Sequence, residues 1–158
     1  MSRVRRTVAE HNSSRLDGDS VQLHGLMMEL IRATGLLQPD QLVPGETLSM
    51  SQAFALHELD TDTPLSQQEL ADRLHLEKSS VSRMAAELER RGLIARERDP
   101  DNRRFYRLCI TPEGRAFHVR MRGTFHERYT EWVAELTGTE REALLTGLTA
   151  LVRAIRRR

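Results

Sequence analysis

Ser79, Ser80, Ser82 and Arg83, followed by Arg103 and Arg104, are the six side chains whose types and spacing suit a chemical role in this sequence. That role is recognition rather than catalysis. Short hydroxyl side chains let a surface come close to base edges, and guanidinium groups pair with phosphate oxygens. The first four surround a segment in which Val81, Met84, Ala85 and Leu88 recur at i, i+3, i+4 and i+7. That spacing predicts one apolar stripe on an α-helix, so the hydroxyls, Arg83 and Glu87 fall on the other side.

The neighbouring residues supply the elements such a face needs. Ser66 and Glu69 form an S-x-x-E capping box that starts a short helix, with Leu70, Ala71 and Leu74 on its buried side. Gln67 and Gln68 at its start are candidate clamps on a nucleic-acid backbone. A turn through His75 and Leu76 leads to Glu77, the expected cap of the second helix. Gly92 is its expected C′ residue, after which Leu93 and Ile94 fold back onto the core. Ile94 to Arg98 reads as a strand, and Asp99-Pro100-Asp101-Asn102 is turn chemistry. A return strand from about Arg104 to Ile110 turns Tyr106, Leu108 and Ile110 inward. The two strands make a ribbon with Arg103 and Arg104 at its tip, within reach of a minor groove or a phosphate backbone. A carboxylate at Asp101 would repel phosphate. Its expected role is to pair with Arg98 or Arg103 and fix the shape of the ribbon. The whole is a winged helix-turn-helix, whose second helix enters a major groove.

Three runs, LSQQELADRL, SSVSRM…LERRGLI and DPDNRR…ITPEG, together resemble the multiple antibiotic resistance regulator (MarR) family of bacterial transcription factors. The last run matches that family's wing signature of D-x-R followed by L-T-x-x-G, with Ile110 in place of the Leu. The resemblance covers roughly Leu48 to Gly114 by motif and the flanking helices by pattern. It implies a DNA-binding homodimer.

Length and composition agree with this class. A chain of 158 residues can bury a core of its own. Charged residues make up 30% and aromatics only 4%, which favours helices over sandwiches. The single cysteine, Cys109, excludes a disulfide framework and points to a reducing, cytoplasmic setting. No apolar run reaches membrane-spanning length, so no membrane partner is expected. Net charge is only +1, but residues 77 to 107 hold nine basic against six acidic groups, whereas residues 21 to 63 hold one against six. Positive charge gathers on the expected reading head.

The flanks read as mostly helical. Residues 1 to 19 are polar and are expected to form a flexible arm. A first helix runs from about Ser20 to Leu37, with Leu23, Leu26, Met27, Leu30 and Ile31 on one face. The PDQLVPGE stretch breaks it. Leu48 to Leu59 is a second helix, capped at Ser49 or Ser51, with Phe54, Ala55 and Leu56 available to the core. After the wing, Thr111-Pro112-Glu113 starts a helix reaching about Leu136, and Thr139 to Ile155 forms the last one. About 25 residues give a helix about 37 Å long, too long for so small a domain to cover alone. The chain therefore divides into 1–19 as an arm, 20–47 as an N-terminal dimerisation helix and loop, 48–111 as the DNA-binding domain and 112–158 as C-terminal dimerisation helices. The fold class is mainly α with a small β-wing. The outer apolar faces call for a second copy of the chain, and a two-fold dimer reads two half-sites about one helical turn apart.

The resemblance further implies a small aromatic or anionic effector where the first, second and fifth helices meet the DNA-binding lobe. In this chain that region draws on Met27, Leu30, Ile31, Phe54, His57, Phe117 and Met121. Peroxide-sensing relatives carry their cysteine in the N-terminal helix, where this chain has none, so Cys109 is expected to be structural. The histidines show no ligand spacing for zinc, and no metal or other cofactor is expected. No Gly-rich phosphate loop or nucleophile elbow is present, so the chain does not read as an enzyme. Residues and resemblance together lead to the expectation of a sequence-specific transcriptional regulator. The resemblance implies a repressor on a pseudo-palindromic operator of double-stranded DNA, released by its effector. The alternatives are a winged-helix scaffold and an architectural DNA binder without sequence readout.

Overall fold

The computed structural model describes residues 2–35, 45–99, 102 and 106–157, with side chains from Arg15 onward. It contains six α-helices and three short strands among these residues: α1 (Ser2–Ala33), α2 (Met50–Leu59), β1 (Leu65–Ser66), α3 (Gln67–Leu74), α4 (Lys78–Arg90), β2 (Ile94–Arg98), β3 (Tyr106–Ile110), α5 (Pro112–Ala134) and α6 (Gly138–Ile155). No described helix is long and apolar enough to cross a membrane. The chain forms two compact units, Met1–Ala53 and Phe54–Arg158.

In the first unit, α1 begins at Ser2 rather than near Ser20. No proline or glycine lies between Ser2 and Asp17 to stop it, and polar residues such as Arg and Glu are good helix formers. The helix ends at Ala33, short of the expected Leu37, and Gly35 follows at φ +69°. Only a residue without Cβ takes that conformation freely. From Arg15 to Leu30 every described side chain of α1 is exposed. Ser49 caps α2: its hydroxyl accepts the Gln52 amide at 3.3 Å, and the Ser49 amide donates to Gln52 Oε1 at 2.9 Å. The reciprocal pair fixes the start of α2 two residues after the expected Leu48.

The second unit is built around the helix-turn-helix. The stripe Val81, Met84, Ala85 and Leu88 is buried in full, with Leu70 and Ala71 of α3 beside it. Leu74, placed on the same side by its spacing, is half-buried. Ala55 and Leu56 enter the core as expected. Phe54 does not, being 52% exposed, because its helical position turns it away from the side that Ala55, Leu56 and Leu59 share.

The wing is a three-stranded antiparallel sheet in the order β1-β3-β2, where a two-stranded ribbon was expected. Leu65 pairs with Leu108 and Ser66 with Arg107, so the segment that caps α3 also covers one edge of the return strand. On the other edge, Ile94 pairs with Ile110 and Arg98 with Tyr106. Leu108 is the fully buried residue of β3, and Ile110 is half-buried. Tyr106 corrects its inward assignment. It lies 45% exposed at the open end of the ribbon, with the Arg98 guanidinium 5.4 Å above its ring.

Thr111 then opens α5 as the motif requires, accepting the Gly114 amide at 2.9 Å. Phe117 and Met121 are buried, whereas Phe125, Tyr129 and Trp132 stack along one side with much of their surface exposed. A second correction falls at α6. Its capping box is Thr137 with Glu140, two residues before the expected Thr139 and Glu142. Either pair satisfies the S/T-x-x-E pattern, and Thr137 directly follows the last turn of α5. No residue of α6 is buried.

Candidate nucleic-acid interface

Two backbone devices aim the exposed side of α4. At the turn between α3 and α4, His75 sits in the left-handed region at φ +52°. Its amide donates to Asp72 O at 3.3 Å and the Leu76 amide to Ala71 O at 3.0 Å, which closes α3 in the manner usually left to glycine. At the far end, Gly92 stands at φ +72°, its amide on Glu89 O at 2.8 Å and the Leu93 amide on Leu88 O at 3.0 Å. This Schellman ending is the one the sequence announces, and it sends Leu93 and Ile94 into the core, where both are buried.

With its apolar stripe sealed, α4 presents a polar side. Ser79 and Arg83 are exposed, Ser80 and Ser82 half-buried. Arg83 Nη2 donates to Ser80 Oγ at 3.4 Å, so the guanidinium lies along the first turn of the helix. Farther along, Arg90 grips Glu87 with two nitrogens at 2.9 and 2.6 Å and holds that carboxyl below its ordinary value. The anionic group is thereby neutralised on the side that carries the serines. Gln67, half-buried, and Gln68, exposed, stand in the first turn of α3, and Gln68 Nε2 donates to Asp72 Oδ1 at 2.9 Å. The Ser66 amide and hydroxyl bond to Glu69 and lower its pKa, so the capping box is complete as the sequence required.

Arg103, Arg104 and Asp101 lie outside the described residues. Below them, the base of the wing is held by a pair that sequence reasoning missed. Asp99, nearly buried, accepts from Arg107 Nε at 2.8 Å and from the Asn102 amide at 3.3 Å, while Arg107 Nη1 donates to Pro64 O at 3.3 Å. One guanidinium thus joins the wing turn to the strand that leads into α3. The available signal was alternation: Arg107 lies between Tyr106 and Leu108, on the opposite side of β3 from Leu108. Arg98, considered for wing stabilisation, lies over the Tyr106 ring.

Cys109 pairs with Ala95 across the ribbon, its Sγ 3.5 Å from Ala95 O. Burial, with Glu97 nearby, pushes the thiol up to about 11. A thiol held protonated in this way is a poor nucleophile, which fits the structural role expected of it. Among the described residues, no group of three or more His, Cys, Asp or Glu is arranged to hold a metal ion. His118 is buried, and its Nδ1 lies 2.7 Å from Asp60 Oδ2; Arg115 binds the other oxygen of the same carboxylate. The His57 ring meets that of His118 edge-on at 5.5 Å. The cluster ties the residue after α2 to the first turns of α5. Of the residues considered for an effector, Phe117 and Met121 are buried, Phe54 and His57 are exposed, and Met27 and Leu30 on α1 are exposed with Ile31 half-buried.

Residues 48–105 match the model of the MarR family. The chain is 34% identical over 89 residues to the protein assigned to regulation of the hcr operon in Thauera aromatica, covering 56% of this chain and 54% of that one. It is 35% identical over 80 residues to the transcriptional repressor MdtR of Bacillus subtilis, covering 49% and 52%. The chain thus spans about half the length of these curated relatives. Among solved structures it is similar to the transcriptional regulator PcaV of Streptomyces coelicolor in complex with its natural ligand, at 25% identity and a TM-score of 0.63, covering 83% of this chain and 92% of that one. The matched segment holds the sealed helix-turn-helix and the first strand of the wing ribbon, β2, and over these residues the chain carries a MarR-family domain.

Proposed function

We propose that this chain is a transcriptional regulator that binds double-stranded DNA as a homodimer. The observation that carries the proposal is the division of α4: Val81, Met84, Ala85 and Leu88 are buried, and Ser79, Ser80, Ser82 and Arg83 are left on the other side. A helix whose open side is small, hydroxylated and cationic near its N-terminus can lie in a major groove without steric conflict. Ser79, Ser80, Ser82 and Arg83 then contact base edges and phosphates, Gln67 clamps the backbone, and Arg103 and Arg104 follow it at the wing. Asp101 keeps its proposed role in shaping the wing tip.

Two sets of exposed apolar side chains support the dimer. On α1, Leu16, Val21, Leu23, Leu26 and Leu30 are open, and on α6, Leu144, Leu145, Leu148, Val152 and Ile155 are open. Large apolar side chains left open along one helix mark an interaction surface. A second copy covers these faces and doubles the readout. We further propose repression by promoter occupancy at a pseudo-palindromic operator, in line with the relative named a repressor, and release by a small aromatic or anionic effector. Such an effector acts by preferring a dimer whose recognition helices are wrongly spaced for DNA.

Replacing Arg103 by Ala tests the wing. Binding to operator and to random duplex should weaken together, and the salt dependence should flatten by about one unit per lost phosphate contact. Unchanged affinity for both would remove the wing from the mechanism.

A further inference from the structure

Between the start of α3 and the base of the wing lies a cleft of about 580 Å³ whose lining includes Gln67, Lys78, Arg96, Asp99, Tyr106 and Arg107. Lys78 is the only lysine among the 24 Lys and Arg residues of the chain. We propose that this cleft seats a phosphate of the bound DNA strand and that Lys78 is its principal ligand. The inference rests on the DNA-binding reading and adds to it a residue and a place.

Three observations converge on Lys78. First, the other cations of the cleft lie against carboxylates: Arg107 Nε is 2.8 Å from Asp99, and Arg96 Nε is 3.0 Å from Glu89, out of line for a hydrogen bond. Asp99, the carboxylate deepest in the cleft, is thereby neutralised, and Glu69 is occupied by the Ser66 amide. Lys78 is exposed and makes no ion pair or hydrogen bond among the described residues. Second, Lys78 is the first residue of α4, and its N-cap, Glu77, makes no side-chain bond to the helix. The first amides of α4 therefore lack a side-chain acceptor beside the ammonium, and backbone amides at a helix start favour a phosphate oxygen. The Glu77 carboxylate opposes an anion here, so the site depends on Lys78. Third, Tyr106, 45% exposed at the start of β3, adds a phenol to the lining from the wing. A strand passing between helix-turn-helix and wing meets donors on both sides.

An ammonium at this position is a point charge, without the planar fork that reads a guanine. Lys78 should therefore set affinity and register equally on all sequences, while Ser82 and Arg83 face the bases. Because the chain has one side-chain amine of this kind, an amine-acetylating ester reports on it alone by peptide mass spectrometry. The full-length protein is acetylated with and without a random-sequence duplex at low salt, and with inorganic phosphate at matched ionic strength. The proposal requires that the duplex, and not phosphate, protect Lys78. It also requires that Lys78→Ala lower the salt slope by about one unit on every duplex, and that Lys78→Arg restore it. Retained duplex with Lys78 still reactive would overturn the phosphate seat and leave DNA binding intact. Equal protection by inorganic phosphate would make the cleft a free-anion site and overturn it too. Absence of duplex retention at any salt would instead sink the DNA-binding reading, and the phosphate seat with it.

Discussion

The backbone carbonyl of Leu93 occupies the space that a Cβ on Gly114 would need. Such an atom would fall far inside van der Waals contact with the oxygen and within 2.9 Å of Ile110 Cγ1. The carbonyl is fixed there because it accepts the Thr111 amide at 3.1 Å, while Thr111 Oγ1 donates to Gly92 O at 2.7 Å. The end of α4 and the start of α5 are thus locked through backbone, with no room for a side chain. Gly114→Ala should cost about 1–3 kcal/mol, the range for overpacking a tight site, measured by urea denaturation. A variant as stable as the parent would show that α5 can shift without cost and that the junction is not rigid.

The Asp99–Arg107 pair makes a second prediction. Arg107 ties the wing turn to Pro64, and its removal deletes the 2.8 Å bond to the nearly buried Asp99 carboxylate. Arg107→Ala should destabilise the unit by roughly 1.5–3 kcal/mol, the range for a hydrogen bond to a charged group. It should also raise amide exchange in β3 ahead of α4. Loss of protection spread uniformly over both elements would mean that the pair supports the whole core rather than the wing.

Cys109 supplies a prediction in pH. Its thiol is raised from 9.0 to about 11 by burial and by Glu97, so the folded protein holds a proton that the unfolded chain releases at lower pH. The stability from this group is fully present below pH 9 and is lost as pH rises from 9.0 towards 11. Iodoacetamide labelling at about pH 8, just under the ordinary thiol range, should therefore be slow in the native protein and fast after denaturation. Equal rates in the two states would show an accessible thiolate and reopen a redox role.

These features were unequally legible in the sequence. The α4 stripe and the Gly92 ending were readable because a 13-residue amphipathic helix repeats its signal over several turns. β1 was not, since two residues cannot show alternation, and Leu65–Ser66 is a strand only because β3 lies beside it. In the wing turn the sequence marked Asp101 as the carboxylate to pair with an arginine and left Asp99 as a turn residue. Arg107 bonds to Asp99 and, 43 residues back in the chain, to the Pro64 carbonyl, and local spacing holds no trace of that. Tyr106 fits an inward alternation that the open end of the ribbon does not enforce. The apolar faces of α1 and α6 were legible as faces. The Gly in ITPEG was recognisable as a motif, but the reason for it, the Leu93 carbonyl just before β2, exists only in the fold.

Sequence readout by α4 is tested most directly by selecting duplexes from a random pool with the purified protein at near-physiological salt, followed by sequencing. A two-fold dimer reading DNA through Ser79, Ser80, Ser82 and Arg83 should enrich an inverted repeat with half-site centres about 10 base pairs apart. Retention of DNA without an enriched motif would contradict sequence readout and favour an architectural binder. Failure to retain any duplex at low salt would contradict DNA binding itself and leave the winged helix as a scaffold.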